Sequence, residues 1–196
     1  EVEISISEGV IETVEREDLS YQTSNSDSNT NDDENSNGDE DGDDNDGIPK
    51  NQIGDWGEKF VFRFLLENKY SYLTDFEDTE LGFLGIDNSN NTIEIKWLNR
   101  NKGVGKGYDF VIIENGEEIE YIEVKTTIKS ERTLHKITGT QWEFARRLLN
   151  EDNGEKYKIY AVKNANSHDA KIKVVSNPIK LWKEGNLYAH PINFRV

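Results

Sequence analysis

The chain contains neither cysteine nor methionine among its 196 residues, and it has only three histidines. Without cysteine it has no disulfides, thiolate metal sites or thiol nucleophile, which is typical of an intracellular protein of the cytoplasm or nucleus. The histidines lack the spacing of zinc ligands. No apolar run approaches the roughly 20 residues of a membrane-spanning helix, so we expect no membrane partner. Because methionine is missing even at position 1, we expect a piece of a longer protein whose other domains are partners.

Negative charge dominates the chain as a whole but is unevenly distributed. The net charge is −16. Residues 1–50 hold 17 acidic and 2 basic side chains and carry −15, whereas residues 51–196 hold 22 acidic and 21 basic ones and carry −1. The second part is therefore almost neutral, and a local basic surface there is compatible with nucleic-acid binding.

The first 50 residues divide into two segments. Residues 1–19 carry spaced apolar side chains and are interpreted as the end of an upstream region. Residues 20–50 have almost nothing apolar and cannot offset the entropy cost of ordering, so we predict a disordered acidic linker. A calcium loop starting at Asp41 is excluded, because the required glycine position holds Asp46. One hypothesis for residues 20–47 is that this acidic stretch binds basic partners or covers a basic surface of the chain itself.

Residues 51–196 are predicted to form one domain. Apolar residues at helical intervals after Ile53 indicate a first helix, and Asp55 and Glu58 have the spacing of a capping box. Residues 71–91 show no clear pattern and are interpreted as an insertion.

Strand patterns occupy the centre of this domain. TIEIKWL (92–98) predicts a strand, and residues 99–107 form a glycine-rich basic loop. Two apolar runs then flank Asn115 and Gly116, a dipeptide that favours a tight β-hairpin.

A second helix and another strand pair follow the hairpin. GTQWEFARRLLNE predicts a helix with Thr140 and Glu143 as its capping box. YKIYAVK (157–163) and KIKVVS (171–176) predict strands, and Pro178 begins a short third helix. This order of elements favours an α/β fold with a mixed central β-sheet flanked by helices.

Charged side chains on the hairpin indicate an active site. Alternation along YIEVKTT (121–127) places Glu123 and Lys125 on one face of a strand. Pairing about the Asn-Gly turn sets Glu123 opposite position 108, one residue from Asp109. Two adjacent carboxylates repel each other, and Mg²⁺ or Mn²⁺ would supply the missing positive charge. The cation would activate a water for attack on a phosphate, and Lys125 would position that water and stabilise the developing charge.

This arrangement resembles the PD-(D/E)XK nuclease superfamily. The similarity consists of GYD (107–109), a hairpin and IEVK (122–125), preceded by a helix that bears Glu58. More narrowly, residues 53–185 resemble the domain at the C-terminal end of the plant protein NO VEIN, which also occurs beside helicase-like and restriction-like modules. One departure is Tyr108, which stands where the superfamily has proline.

The resemblance implies a restriction-endonuclease-like core and a role for each matching residue. Asp109 and Glu123 would be metal ligands, Lys125 the catalytic lysine and Glu58 an accessory catalytic acid. Gln141 is an accessory candidate that faces either the site or solvent.

Several basic residues lie close to the motif in sequence. They would form a phosphate-contacting rim, and the alternative is an ordinary solvated surface. The members assigned to nucleic-acid binding are Arg100, Lys102, Lys106 and Lys129.

Each candidate also has a purely structural alternative. Glu123 and Lys125 could pair on an exposed sheet face, Asp109 could end a glycine loop, and Glu58 could serve only as a capping partner.

The sequence as a whole favours a metal-dependent nuclease domain that hydrolyses phosphodiester bonds within a larger multidomain protein of restriction, defence or nucleic-acid processing. DNA is the expected substrate, and the sequence does not distinguish DNA from RNA. The alternative is a catalytically inactive module that uses the nuclease fold to bind nucleic acid or protein.

Overall fold

Seven β-strands form one sheet at the centre of the molecule. The computed structural model describes residues 49–101, 105–130 and 135–189, so the predicted upstream region and almost all of the predicted acidic linker lie outside the described residues. The strands follow one another across the sheet in chain order. Their bounds are Thr74–Thr79 (β1), Gly82–Ile86 (β2), Thr92–Trp97 (β3), Phe110–Glu114 (β4), Glu117–Thr126 (β5), Tyr157–Lys163 (β6) and Lys171–Ser176 (β7).

Helices cover both faces of this sheet. A π-helical turn extends the first helix, and a short 3₁₀ turn precedes β6. The helix bounds are Lys50–Phe64 (α1), Gly139–Asn150 (α2) and Pro178–Lys183 (α3), with the π turn at Leu65–Lys69 and the 3₁₀ turn at Gly154–Lys156. No helix in the described ranges is both long and apolar enough to cross a membrane.

The sheet is mixed because one neighbouring pair differs from the rest. β5 and β6 are parallel, whereas the other five pairs are antiparallel. A parallel pair needs a crossover connection, and α2 lies in the segment that makes it. The predicted α/β fold with a mixed central sheet and flanking helices is confirmed.

Each face of the sheet has its own apolar core. On one face, α1 buries Trp56, Phe60 and Leu65 in a cluster that includes Phe110 and Ile122. The rings of Trp56 and Phe60 stack with centroids 5.0 Å apart. These aromatic side chains recur at i and i+4 on α1, which is the spacing that a helix needs to present one apolar face.

The second core lies under α2. It includes Ala145 and Leu148 of α2 with Tyr121, Tyr157 and Ile159 of the sheet. Since strand side chains alternate between faces, Tyr121 on the α2 side places Glu123 and Lys125 on that side as well.

Residues 71–91 were expected to be an insertion, and that expectation is wrong. They contain β1 and β2, which extend the sheet beyond β3. β1 (TDFEDT) is an edge strand with five of its six residues exposed, so it lacks the apolar alternation by which strands are recognised. β2 tolerates no side chain at Gly82, because a Cβ there would lie 1.9 Å from the backbone oxygen of Ile95.

Both predicted capping boxes are also misplaced. α1 begins at Lys50 after Pro49, with no side-chain cap, so Asp55 and Glu58 lie inside the helix. α2 is capped by Thr138, which forms a capping box with Gln141. In α2, the predicted box (Thr140 with Glu143) and the observed box (Thr138 with Gln141) have the same Thr-x-x-Glu/Gln spacing. The observed box begins two residues earlier.

The β4–β5 hairpin forms at the predicted turn, with an irregular register. Ile113 pairs with Glu118 but Ile112 pairs with Glu120, so β5 contains one extra residue. This bulge makes Phe110 the partner of Ile122, a place that an uninterrupted hairpin would give to Asp109. Glu123 is thereby brought next to Asp109 rather than Tyr108.

The buried carboxylate of Glu120, on β5, links three side chains on the α1 side of the sheet. Glu120 accepts hydrogen bonds from Lys69 and Lys158, both at 2.6 Å, and from the Tyr160 hydroxyl at 3.2 Å. Burial raises the pKa of Glu120, but the two lysines outweigh it, and the net pKa lies below the ordinary value. The charged form of Glu120 therefore stabilises the fold.

Glu120→Gln is expected to lower the free energy of unfolding at pH 7 by about 1–2 kcal/mol, because two partly buried ammonium groups lose their counter-charge. A carboxyl with a lowered pKa contributes stability above its unfolded pKa of 4.5 and loses it as the pH falls through the folded value. Urea unfolding from pH 7 to pH 3 should therefore show a shallower loss of stability in Glu120→Gln than in the parent. Parallel pH curves would contradict this assignment.

Candidate active site

Asp109 immediately precedes β4, at the end of that central strand, where backbone hydrogen bonds to both neighbouring segments hold it. Its N–H donates to Ile122 O and its carbonyl accepts from Leu98 N–H, both at 2.8 Å. Its side chain accepts from Val124 N–H at 2.7 Å and from the Asn99 amide at 2.6 Å. Asp109 is thus buried against β5, with one carboxylate oxygen bound to the backbone between Glu123 and Lys125.

Glu123, Lys125 and Gln141 form a closed triangle between β5 and α2. Lys125 Nζ lies 3.0 Å from Glu123 Oε1 and 3.0 Å from Gln141 Oε1. Gln141 Nε2 donates to the same Glu123 oxygen at 2.5 Å. The Glu123 side chain is 4% exposed and that of Lys125 15%. The alternative of an ion pair on an exposed sheet face is therefore wrong.

Gln141 has two roles because of its place in α2. Its side-chain oxygen accepts from Thr138 N–H at 2.8 Å, which completes the cap, and also from Lys125. The capping box thus fixes the amide that contacts the charged pair. Of the two orientations left open for Gln141, the structure has the one toward the site.

Glu58 approaches from the opposite helix. Its Oε2 accepts from Trp97 Nε1 at 2.6 Å. Gly57 allows this approach, because a Cβ at that position would lie only 1.8 Å from Thr126 Oγ1. The structural alternative of a helix cap does not hold for Glu58, since it lies well inside α1.

The carboxyl groups of the site perturb one another. Burial and then the charge of Asp109 raise the pKa of Glu123 to about 7. Burial and then Asp109 likewise raise the pKa of Glu58 to about 7. Burial also raises the pKa of Asp109, against the hydrogen bond from Val124 N–H and the charge of Lys125. The three carboxyls are close enough to interact, and their ionised forms need additional positive charge.

The donor chemistry of Asp109 and Glu123 fits a hard divalent cation. In the described residues, no group of three or more His, Cys, Asp or Glu side chains is arranged to hold a metal ion. Mg²⁺, however, commonly binds through one or two carboxylates and keeps several waters. Glu123 Oε1 accepts from Lys125 and Gln141, whereas Glu123 Oε2 has no hydrogen bond to any residue that the structure describes. The carboxylate chemistry of Asp109 and Glu123 is thus compatible with Mg²⁺ or Mn²⁺, although both Asp109 oxygens also accept hydrogen bonds from Asn99 and Val124.

The residues predicted to contact nucleic acid are dispersed around this site. Lys106 is exposed three residues before Asp109, and Lys129 is exposed shortly after β5. Arg100 is exposed, with its guanidinium carbon 5.8 Å from the centroid of the Phe62 ring. Lys102 lies outside the described residues.

Sequence reasoning missed several neighbours of the site. Asn99 donates to Asp109, and Trp97 donates to Glu58. Tyr157 donates to Gly107 O at 3.0 Å, and burial followed by Glu123 and Asp109 raises its pKa. Burial and then Lys125 lower the pKa of His135. Only Asn99 had a detectable signal, as a polar residue directly after a predicted strand.

Comparison with known proteins places this site in a family context. Residues 71–175 match the family model described as "Protein NO VEIN, C-terminal". That range includes Asp109, Glu123, Lys125 and Gln141, whereas Glu58 and α1 precede it.

Two curated relatives come from Arabidopsis thaliana. "Protein NO VEIN" is 36% identical over 93 residues, which are 47% of this chain and 3% of that protein. "Protein NO VEIN-LIKE" is 33% identical over 93 residues, which are 47% of this chain and 13% of that protein. The chain thus corresponds to a small part of both relatives, which are much larger proteins. No solved structure matches it significantly.

Proposed function

The chain belongs to the NO VEIN C-terminal family, and from this premise we propose that it is a metal-dependent nuclease domain that hydrolyses phosphodiester bonds in DNA. In this proposal the sheet and its helices are a restriction-endonuclease-like PD-(D/E)XK core inside a larger intracellular protein. The observation that carries the proposal is the convergence of Asp109, Glu123 and Lys125 at one sheet edge. Buried charges in such an arrangement are costly and are characteristic of functional sites.

Asp109 and Glu123 would hold Mg²⁺ or Mn²⁺. A bound divalent cation supplies positive charge that neutralises the phosphate and favours deprotonation of an attacking water. The hydrogen bonds of Asp109 to Val124 and Asn99 fix its carboxylate before any ligand arrives, so binding needs little reorganisation.

Lys125 would act on the phosphate and the water. Its ammonium group is held by Glu123 and Gln141, and it donates a hydrogen bond that stabilises charge on a non-bridging phosphate oxygen. The attacking water gives up one proton to bulk solvent as its oxygen forms a bond to phosphorus, the bond to the leaving sugar oxygen breaks, and that oxygen takes a proton from solvent. Glu58 is an accessory acid that adds negative charge at the rear of the site.

Lys125→Ala is expected to reduce Mg²⁺- or Mn²⁺-dependent cleavage of supercoiled plasmid by about 10²–10³-fold, the usual cost of losing one charge-stabilising donor. The matched control is Lys156→Ala, which removes the same charge beside Glu118 at the other end of β5. Cleavage rates on agarose gels are the measurement. Equal rates in Lys125→Ala and the control would reject the proposed role.

A second candidate function is a catalytically inactive module that binds nucleic acid or protein through the same fold. The observation that favours it is the occupied state of Glu123 Oε1, which already accepts from both Lys125 and Gln141. The plasmid experiment separates the two candidates, because an inactive module shows no cation-dependent cleavage.

A further inference from the structure

An open cleft lies beside the carboxylate site, between α2 and the segment that leads into Asp109. Its volume is about 590 Å³. Its lining includes Lys106, Tyr108, Phe144 and Arg147. We call it the α2 cleft. Of its lining residues, only Lys106 was predicted to contact nucleic acid, and neither the family match nor the catalytic chemistry assigns the cleft a role.

The charge of the α2 cleft is positive. Arg146 and Glu143 also line it, but they neutralise each other through an ion pair at 2.6 Å. Lys106 and Arg147 remain, and neither forms an ion pair with any residue in the described part of the chain. Two cations that form no ion pair among the described residues, in one concave surface, favour an anionic ligand.

The floor of the α2 cleft is aromatic. The rings of Tyr108 and Phe144 lie with centroids 4.9 Å apart, and the Arg147 guanidinium carbon lies 5.1 Å from the Phe144 centroid. This cation–π contact with Phe144 keeps the positive charge of Arg147 at the cleft, where it can attract a phosphate.

The α2 cleft and the carboxylate site are both formed by α2 and by the segment that leads into Asp109. Gly107, two residues before Asp109, packs so tightly on α2 that a Cβ would lie 3.1 Å from Thr140 O. On α2, Gln141 contacts the charged pair and Arg147 lines the cleft. Arg147 lies six residues after Gln141, which is roughly 9 Å along the helix axis. This distance matches about two to three phosphates along one strand of B-form DNA.

We propose that the α2 cleft binds the phosphate backbone of the DNA strand two to three nucleotides from the bond that is cleaved. Lys106 and Arg147 each contact a phosphate, and Arg146 remains paired with Glu143. This inference deepens the proposed function, on which it rests for the identity of the ligand.

The test measures DNA binding without cleavage. Anisotropy of a fluorescein-labelled 20-base-pair DNA duplex is recorded in EDTA from 50 to 200 mM NaCl. The variant Lys106→Ala/Arg147→Ala is expected to bind at least about 10-fold more weakly at 100 mM salt, with the slope of log K against log salt reduced by roughly 1.8. Arg147→Lys keeps the charge and should retain most of the affinity, which guards against a folding defect.

The matched control is Lys156→Ala/Lys180→Ala, which removes two charges near Glu118 and Glu155, outside the cleft. It should change the affinity by less than about twofold, since the total charge alone has a weak effect. Equal losses in the two double variants, or no loss in either, would overturn the α2 cleft as a DNA contact. Weakened binding of Lys106→Ala/Arg147→Ala in a protein that never cleaves plasmid would support the cleft and reject the nuclease proposal.

Discussion

Asp109→Asn is expected to reduce Mg²⁺-dependent DNA cleavage by at least about 10³-fold, equivalent to roughly 4 kcal/mol of transition-state stabilisation, without unfolding the protein. The amide lacks the negative charge that a divalent cation needs from its ligand. Its oxygen still accepts from Val124 N–H, the hydrogen bond that holds residue 109 against β5. The substitution therefore separates charge from hydrogen bonding.

The same substitution is expected to leave the melting temperature unchanged or to raise it by about 2–4 °C at pH 8 in EDTA, for about 1 kcal/mol of relieved repulsion. Asp109 contributes to raising the pKa of Glu58 and of Glu123 to about 7. A carboxyl with a raised pKa loses native-state stability as the pH rises through that value, because it must ionise against burial and a like charge. The gain should therefore be larger at pH 8 than at pH 5, where Glu58 and Glu123 are protonated.

Calorimetric melting is then recorded with and without Mg²⁺. The Mg²⁺ concentration is roughly 5–10 mM, which exceeds a typical dissociation constant for this ion. The parent should gain melting temperature from Mg²⁺, whereas Asp109→Asn should gain little. A variant that melts well below the parent in EDTA would show Asp109 to be a structural residue. Cleavage that persists in a stable Asp109→Asn would remove the aspartate from the chemistry.

The hairpin that carries the site was predictable, but its exact register was not. Asn115 and Gly116 specify the turn, and both have positive φ angles as such a turn requires. The bulge depends on the pairing of Ile112 with Glu120, and the turn sequence contains no signal for it. A one-residue shift decides which side chain lies beside Asp109, so sequence spacing alone gave the right neighbourhood and the wrong partner.

The residues that support the site were harder to predict than the charged residues themselves. Glu123 and Lys125 follow from alternation along one strand, whereas Glu58 and Trp97 meet only when α1 packs across β3. Gln141 was recognised as a candidate because it begins a helix, yet its capping partner is Thr138, outside the box that we assigned. Local periodicity fixes the faces of an element, and tertiary packing selects which of them converge.

Gly57→Ala is expected to destabilise the domain by about 2 kcal/mol, whereas Gly54→Ala on the same helix is expected to stabilise it by about 0.5–1 kcal/mol. In a helix, alanine is more stable than glycine by about 0.5–1 kcal/mol wherever its methyl group meets no obstacle. Gly54 is such a position, because no atom lies within 4 Å of a Cβ built there. At Gly57 the new methyl group would lie 1.8 Å from Thr126 Oγ1, so α1 must move away from β5. Overpacking of this kind costs about 1–3 kcal/mol and outweighs the gain in helix propensity.

A double variant identifies Thr126 as the cause. Thr126→Ala removes the hydroxyl and the methyl group but leaves its Cβ 2.8 Å from the added atom, so Gly57→Ala/Thr126→Ala should recover only part of the loss. Urea unfolding of the four proteins gives the coupling energy. Because Glu58 follows Gly57 directly, displacement of α1 also withdraws Glu58 from Asp109, and cleavage should fall in Gly57→Ala but not in Gly54→Ala. If both alanine variants are equally stable and active, close packing of α1 on β5 does not position the site.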